Sequence, residues 1–368
     1  MGQAPVQIED FEGKSDFRRL EACLLGEPTD RVPHFEILIE DEHVAALLGR
    51  AGAGNTMGVG GNPAQQSVAN PSIRPMCPRD YLELCEIIGQ DIIFVDASWT
   101  PVKQKRPDGT VGPIDDRSIK TREDADRIIW PSDEDMEERL QYVREYVEAA
   151  KGSSIGVGLC GFALFETIYE SMVGFEDFML MSATEPELIE EMMSRSADYA
   201  VELARRAIQE GVDVIYGADD VAMKTGLFIR PEIFVELWAP HYDRVFATAR
   251  EADIPILFHS DGKIDDIMDL LIDDMGVNCI TPMDPTGVDY REYKKRYGHR
   301  VCLWGNIDLT WPLVGGTPAD VERDVREHAQ VLKPGGRWIA ASSHSIVDYI
   351  PHENFLTMIN AIHRYGRY

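Results

Sequence analysis

The stretch "ILFHSDGKIDDIMDLL", residues 256–271, opens as an apolar strand, turns through His259, Asp261 and Gly262, and then takes up a helical pattern from Lys263. The same strand-to-helix passage recurs along the chain. Apolar runs stand at 32–39, 91–97, 154–160, 212–219, 254–260, 277–283, 301–306 and 338–343, with helical patterns between them. Several are apolar on both faces, as a strand buried beneath helices must be, and their alternation with helices implies a parallel sheet. Eight such units predict a closed (β/α)8 TIM barrel forming one α/β domain over residues 1–368. The segment before Val32 and a stretch from about Gly49 to Arg79 read as additions to it.

Two of the intervening patterns are explicit. Residues 185–211 carry apolar positions at helical spacing, a proline in the first turn and Gly211 at the end. Residues 230–253 contain Pro240, which predicts a kink or a division into two helices. The Gly-rich stretch 51–75 reads as a loop or lid, since it lacks the GK[ST] ending of a phosphate-binding loop.

A formal net charge of -28 sets the protein against nucleic acid and anionic bilayers as partners. No apolar run approaches the roughly 20 residues that span a bilayer, and the N-terminal stretch lacks a basic-then-apolar signal pattern. A soluble, cytoplasmic protein is expected. The six cysteines form no CxxC pair, which suits reduced thiols and not a disulfide framework.

In a barrel of this kind, chemistry gathers at the C-terminal ends of the strands. Those positions hold Glu36 and Glu40, Asp96, Cys160, Asp219 and Asp220, His259 and Asp261, Asp284, Asn306 and Asp308, and finally Ser343 and His344. Carboxylates converging without cations raise one another's pKa, so a positive charge is expected among them. Lys103, Lys224 and Lys263 are few for that task, and a divalent metal is the natural candidate. His259, Asp261 and His344 offer N and O ligands that zinc accepts at an open site. A second reading stands beside this one: Asp261 is an N-cap for the helix from Lys263, His344 a loop histidine, and Asp219-Asp220 an Asx-turn.

Several stretches together carry a family resemblance: "LLGEPTDRVPHFEILIEDE", "GADDVAMKTGLFIRPEIFVELWAPHYDRVF", "FHSDGKIDDIMDLLIDDMGVNCITPMDP", "VCLWGNID" and "LKPGGRWIAASSHSIVDYIPHENF". In order and over nearly the whole chain, they resemble the uroporphyrinogen decarboxylase superfamily, (β/α)8 barrels that include porphyrinogen decarboxylases and corrinoid-linked methyltransferases. The arginines that bind substrate acid groups in the decarboxylases are missing, the equivalent region reading "VPHFEILIEDE". Asp96 does match their catalytic aspartate.

The methyltransferase branch resembles the chain better, through "GFALFETIYESMVGFEDFM" and the "HSDG" turn. Its zinc members use an HxC turn and a later Cys; here His259 matches the His, Asp261 replaces the first Cys and His344 falls near the last. The resemblance implies bound Zn2+ and a partner corrinoid protein, a separate one because no DxHxxG-type stretch is present. His/Asp/His ligation leaves a harder ion than thiolates do, which favours an ether or hydroxyl oxygen and hence demethylation of a small methylated, O-methyl substrate. Asp220 and Glu166 are then candidates for proton handling, and Tyr169, Asp219, Trp304 and Asn306 for substrate contacts. The decarboxylases also suggest a homodimer. The alternative function is a metal-independent decarboxylase centred on Asp96.

Overall fold

The computed structural model describes residues 7–9, 14–52, 54–56, 76–97, 103–114 and 117–368. Seven of the apolar runs form one parallel sheet: Ile92–Asp96, Gly156–Gly161, Val214–Ala218, Ile256–His259, Cys279–Thr281, Cys302–Trp304 and Trp338–Ile339, each beside the next in chain order. The first run, expected as an eighth strand, is not a continuous one. It makes isolated parallel bridges, His34 to both Gln90 and Ala340, and Ile39 to Ile346. These join the two edges of the sheet and close the barrel. The ladder is interrupted because side chains take its donors: Glu36 N–H goes to Gln90 Oε1 and Ile39 N–H to Thr56 Oγ1, while Pro33 has no N–H to give.

The main core lies between the sheet and its helices. A second cluster fills the barrel, with Phe35, Phe94, Tyr216, Leu257 and Trp304 among its members. Helix Phe17–Leu25 seals the N-terminal end of the strands. Asp16 caps its start, and Gly26 ends it at φ 79°. Leu20, Cys23 and Leu24 pack into the barrel cluster, and the Cys23 thiol lies 3.7 Å from that of Cys302. All six cysteines are free, and every one but Cys77 is buried. Plugging this end leaves the opposite mouth as the place for a site.

Helix Pro186–Glu210 matches its prediction, and the pattern around Pro240 divides into Pro231–Leu237 and Ala239–Glu251. The break falls before the proline, which sits in the first turn where no N–H is required. After Gly262 the expected regular helix is instead a 3-10 turn, Asp265–Ile267, followed by a π turn, Leu270–Asp274. Neither start is capped by a side chain, so the N-cap reading of Asp261 is corrected. Two small antiparallel additions escaped the periodicity: Lys103–Lys105 with Val111–Pro113 and Ile128–Ile129, and the hairpin of Ala222–Met223 with Gly226–Leu227. Of the loop predicted at 51–75, all but 51, 52 and 54–56 lies outside the described residues. Among the described residues no helix is long and apolar enough to cross a membrane.

Candidate metal centre

His259 is the last residue of its strand, and the next residues form a turn tied on both sides. Asp261 N–H donates to Asp220 Oδ1 at 2.8 Å, Gly262 N–H to Asp284 Oδ2 at 3.2 Å, and Lys263 N–H to the Met223 carbonyl at 2.9 Å. Gly262 has φ 81°, and a Cβ there would lie 2.7 Å from backbone atoms of Ala222 and Met223. Only glycine lets the turn lie this close to the hairpin. Asp220 and Asp284, two of the converging carboxylates, thus act first as acceptors that hold the turn.

The turn brings His259 and Asp261 to His344, which arrives on the loop after the last strand. One donor atom from each lies within 4.8 Å of the others. His259 Nε2 is 3.9 Å from Asp261 Oδ1, and His344 Nε2 is 3.9 Å from Asp261 Oδ2. Ligand atoms around a tetrahedral zinc stand roughly 3.4 Å apart, so small side-chain shifts would seat the ion. Burial pushes the His259 pKa down, against the pull of Asp220 and Asp261, and keeps the imidazole in the neutral form that ligates metal. Burial pushes Asp261 up, against the two histidines. Nδ1 of His259 is buried with no hydrogen-bond partner among the described residues, as is the hydroxyl of Tyr216, whose ring meets His259 edge to face. The donor chemistry fits zinc, and three protein ligands leave a position for an incoming oxygen. An open cavity of about 510 Å³ borders Asp261, with Met223, Lys224, Asp284 and Thr286 also on its wall.

The other expected residues divide. Glu166 is largely buried, and that burial, with Asp219 and Asp220 nearby, pushes its carboxyl up to about 9. The Tyr169 hydroxyl donates to the Asp220 carbonyl at 3.1 Å, and its ring packs against Phe165, Phe175 and Phe228. Asp220 Oδ1 lies 3.6 Å from His259 Nε2. Asp220 therefore borders the metal cluster, with Tyr169 and Glu166 beside Asp220. Asp96 ends its strand beside Cys160, nearly buried. Asp219, expected at the substrate, is fully buried and accepts the N–H groups of Phe165 and Glu166 and the hydroxyl of Tyr242. Trp304, expected on a cavity wall, is packed inside the barrel with its indole donating to the Phe35 carbonyl at 2.8 Å. Asn306 is likewise buried, bonded to the Met283 carbonyl and to His328. Glu36, expected at the mouth among the carboxylates that would repel a polycarboxylate, is fully buried.

Fold and donor set define the class: a TIM barrel with an open candidate metal centre at the C-terminal ends of its strands. Residues 91–365 match the family uroporphyrinogen decarboxylase (URO-D), and the chain belongs to that family. It is 24% identical over 361 residues to the methylcobamide:CoM methyltransferase MtaA of Methanosarcina barkeri, an alignment covering 94% of this chain and 97% of that one. It is also 24% identical to the uroporphyrinogen decarboxylase of Mannheimia succiniciproducens, covering 70% of this chain and 72% of the relative. Among solved structures, a methyltransferase from Methanosarcina mazei shares the fold, with a TM-score of 0.63, 18% identity, and coverage of 94% and 98%.

Proposed function

We propose that the protein is a zinc-dependent methyltransferase that moves a methyl group from a small O-methylated substrate to a separate corrinoid protein. The observation that carries this reading is the convergence of His259, Asp261 and His344 at the barrel mouth. The near full-length likeness to a methylcobamide methyltransferase supports it. Zinc held by two imidazoles and a carboxylate would supply Lewis acidity toward an ether oxygen.

The chain's own groups supply the rest. As the C–O bond breaks, its electrons stay on oxygen, which needs a proton. Glu166, pushed up to about 9 by burial, holds one at neutral pH and is the proposed donor. Asp220 holds the Asp261 turn in register, and the Tyr169 hydroxyl fixes the Asp220 backbone in turn. The rings of Phe165, Tyr169, Phe175 and Phe228 pack against one another, and Phe165 is next to Glu166 in the chain.

The test is methyl transfer from methoxylated arenes and other O-methyl compounds to a corrinoid protein, with wild type and Glu166→Gln. The proposal expects demethylation by wild type and a loss of about 10²–10⁴-fold in the variant. A thiol serving as the best methyl acceptor would overturn the assigned direction. The decarboxylase relatives and the nearly buried Asp96 sustain one other reading, a metal-independent decarboxylase. Against it, Asp220, Asp261 and Asp284 at the mouth repel a polycarboxylate. Carbon dioxide release from porphyrinogen by metal-stripped protein would favour it.

A further inference from the structure

His344 is the least anchored member of the metal cluster. Its ring is 42% exposed, and its side-chain hydrogen bond is to the adjacent Ser345 hydroxyl at 2.8 Å. Its position is therefore set by its backbone, which the neighbouring Ser343 N–H ties to the Ile307 carbonyl at 2.7 Å and which is held again on each side. On one side, Ile346 N–H donates to the Leu38 carbonyl at 2.8 Å and its own carbonyl accepts from Glu40 N–H at 2.9 Å. On the other, the side chain of Glu36 grips Ser342. Its carboxylate accepts Ser342 N–H at 3.2 Å through both oxygens, and Ser342 Oγ lies 2.5 Å from Glu36 Oε2. Ser342 Oγ also contacts the His344 carbonyl.

Glu36 is fully buried, with no Lys or Arg ion pair to it among the described residues; His34 hydrogen-bonds to it, Nε2 to Oε1 at 2.9 Å. The other ring nitrogen of His34 reaches the Ile88 carbonyl at 3.3 Å. A carbonyl only accepts, so His34 Nδ1 carries hydrogen, and a continuous polar chain runs Ile88, His34, Glu36, Ser342, His344 through the seam where the barrel closes. A buried carboxylate is destabilising unless its hydrogen bonds are filled, and apolar packing would serve this seam at least as well. Its partner Ser342 stands two residues before the proposed ligand His344, which gives it a different use.

We propose that Glu36 is a positioning residue for the metal centre: through Ser342 it fixes the loop that carries His344, and so sets metal affinity and coordination geometry. The inference rests on the reading of His259, Asp261 and His344 as ligands. Partners of this kind behind a ligand alter metal affinity by about 10–100-fold when removed.

The test is titration with Co2+ as the probe, followed by its visible ligand-field spectrum, in wild type, Glu36→Gln, Glu36→Ala, Ser342→Ala and His344→Ala, with urea unfolding of each. A merely structural role would alter unfolding but not the shape of the cobalt spectrum. The expected result is a wild-type spectrum lost in His344→Ala, shifted and weakened about 10–100-fold in affinity in Glu36→Ala, and largely rescued in Glu36→Gln, which keeps one acceptor oxygen. Ser342→Ala, which removes only one hydroxyl, should shift the spectrum in the same sense and decides the matter if Glu36→Ala does not fold. Wild-type affinity and spectrum in Glu36→Ala, or in Ser342→Ala where the former is unfolded, would overturn the positioning role while leaving the metal centre standing. No cobalt spectrum in wild type would overturn both.

Discussion

Replacing Asp219 with alanine separates a structural carboxylate from a catalytic one. Asp219 accepts from the N–H groups of Phe165 and Glu166, both at 2.7 Å, from the Tyr242 hydroxyl at 2.9 Å and from the Trp238 indole at 3.4 Å. Tyr242 keeps a contact with the Phe162 carbonyl if Asp219 is lost, and the indole bond is long. The two backbone donors cannot turn elsewhere, and each stranded buried donor costs roughly 1–3 kcal/mol. With the space left behind, Asp219→Ala should lose about 3–5 kcal/mol. Asp219→Asn keeps one acceptor oxygen but aims an amide N–H at a donor, for a loss of about 2 kcal/mol. Urea unfolding with an unchanged slope measures both. Because the Glu166 backbone is one of the anchored groups, the folded Asn variant should also lose kcat. A shift below about 1 kcal/mol for Asp219→Ala would mean that these donors do not depend on Asp219.

Other outcomes follow from the same structure. Gly262→Ala places a Cβ 2.7 Å from the hairpin backbone at φ 81°, so it should destabilise by more than about 1 kcal/mol and weaken cobalt binding. Leu24 is fully buried in the plug under the barrel, and Leu24→Ala should lose about 2–5 kcal/mol with metal affinity unchanged, as unfolding and titration together would show. Burial pushes the His363 imidazole down to about 3, against about 6.5 in an unfolded chain. The unfolded state then binds the proton first, so the stability is present above about pH 6.5 and is lost as pH falls toward 3, by at most about 5 kcal/mol. His363→Gln should flatten that acid limb in urea unfolding followed across pH.

The barrel was legible because buried parallel strands are apolar on both faces, and seven of the runs became strands where their sequence placed them. The first run has the same composition, yet Gln90 and Thr56 side chains take N–H groups from its ladder, an arrangement settled only by tertiary contact. The three-stranded sheet around Lys103–Lys105 is made of pairings two or three residues long, too short for periodicity to reveal. At the site, strand-end position put His259, Asp261 and His344 among the candidates, and the fold brings one donor atom of each within 4.8 Å of the others. Strand-end position could not say which other carboxylates face the mouth and which are consumed by backbone donors. Asp219 and Asp220 are neighbours in sequence, but one is buried under four donors and the other lies beside His259. Trp304 looked like a wall residue because alternation along a three-residue strand does not tell barrel interior from barrel mouth.

If His259, Asp261 and His344 hold a metal ion, the purified protein should carry it. Mass-spectrometric metal analysis of the purified protein, beside His259→Ala and His344→Ala, tests this most directly. About one zinc per wild-type chain is expected, absent from both folded variants. Wild-type protein that stays metal-free after zinc is supplied would contradict it.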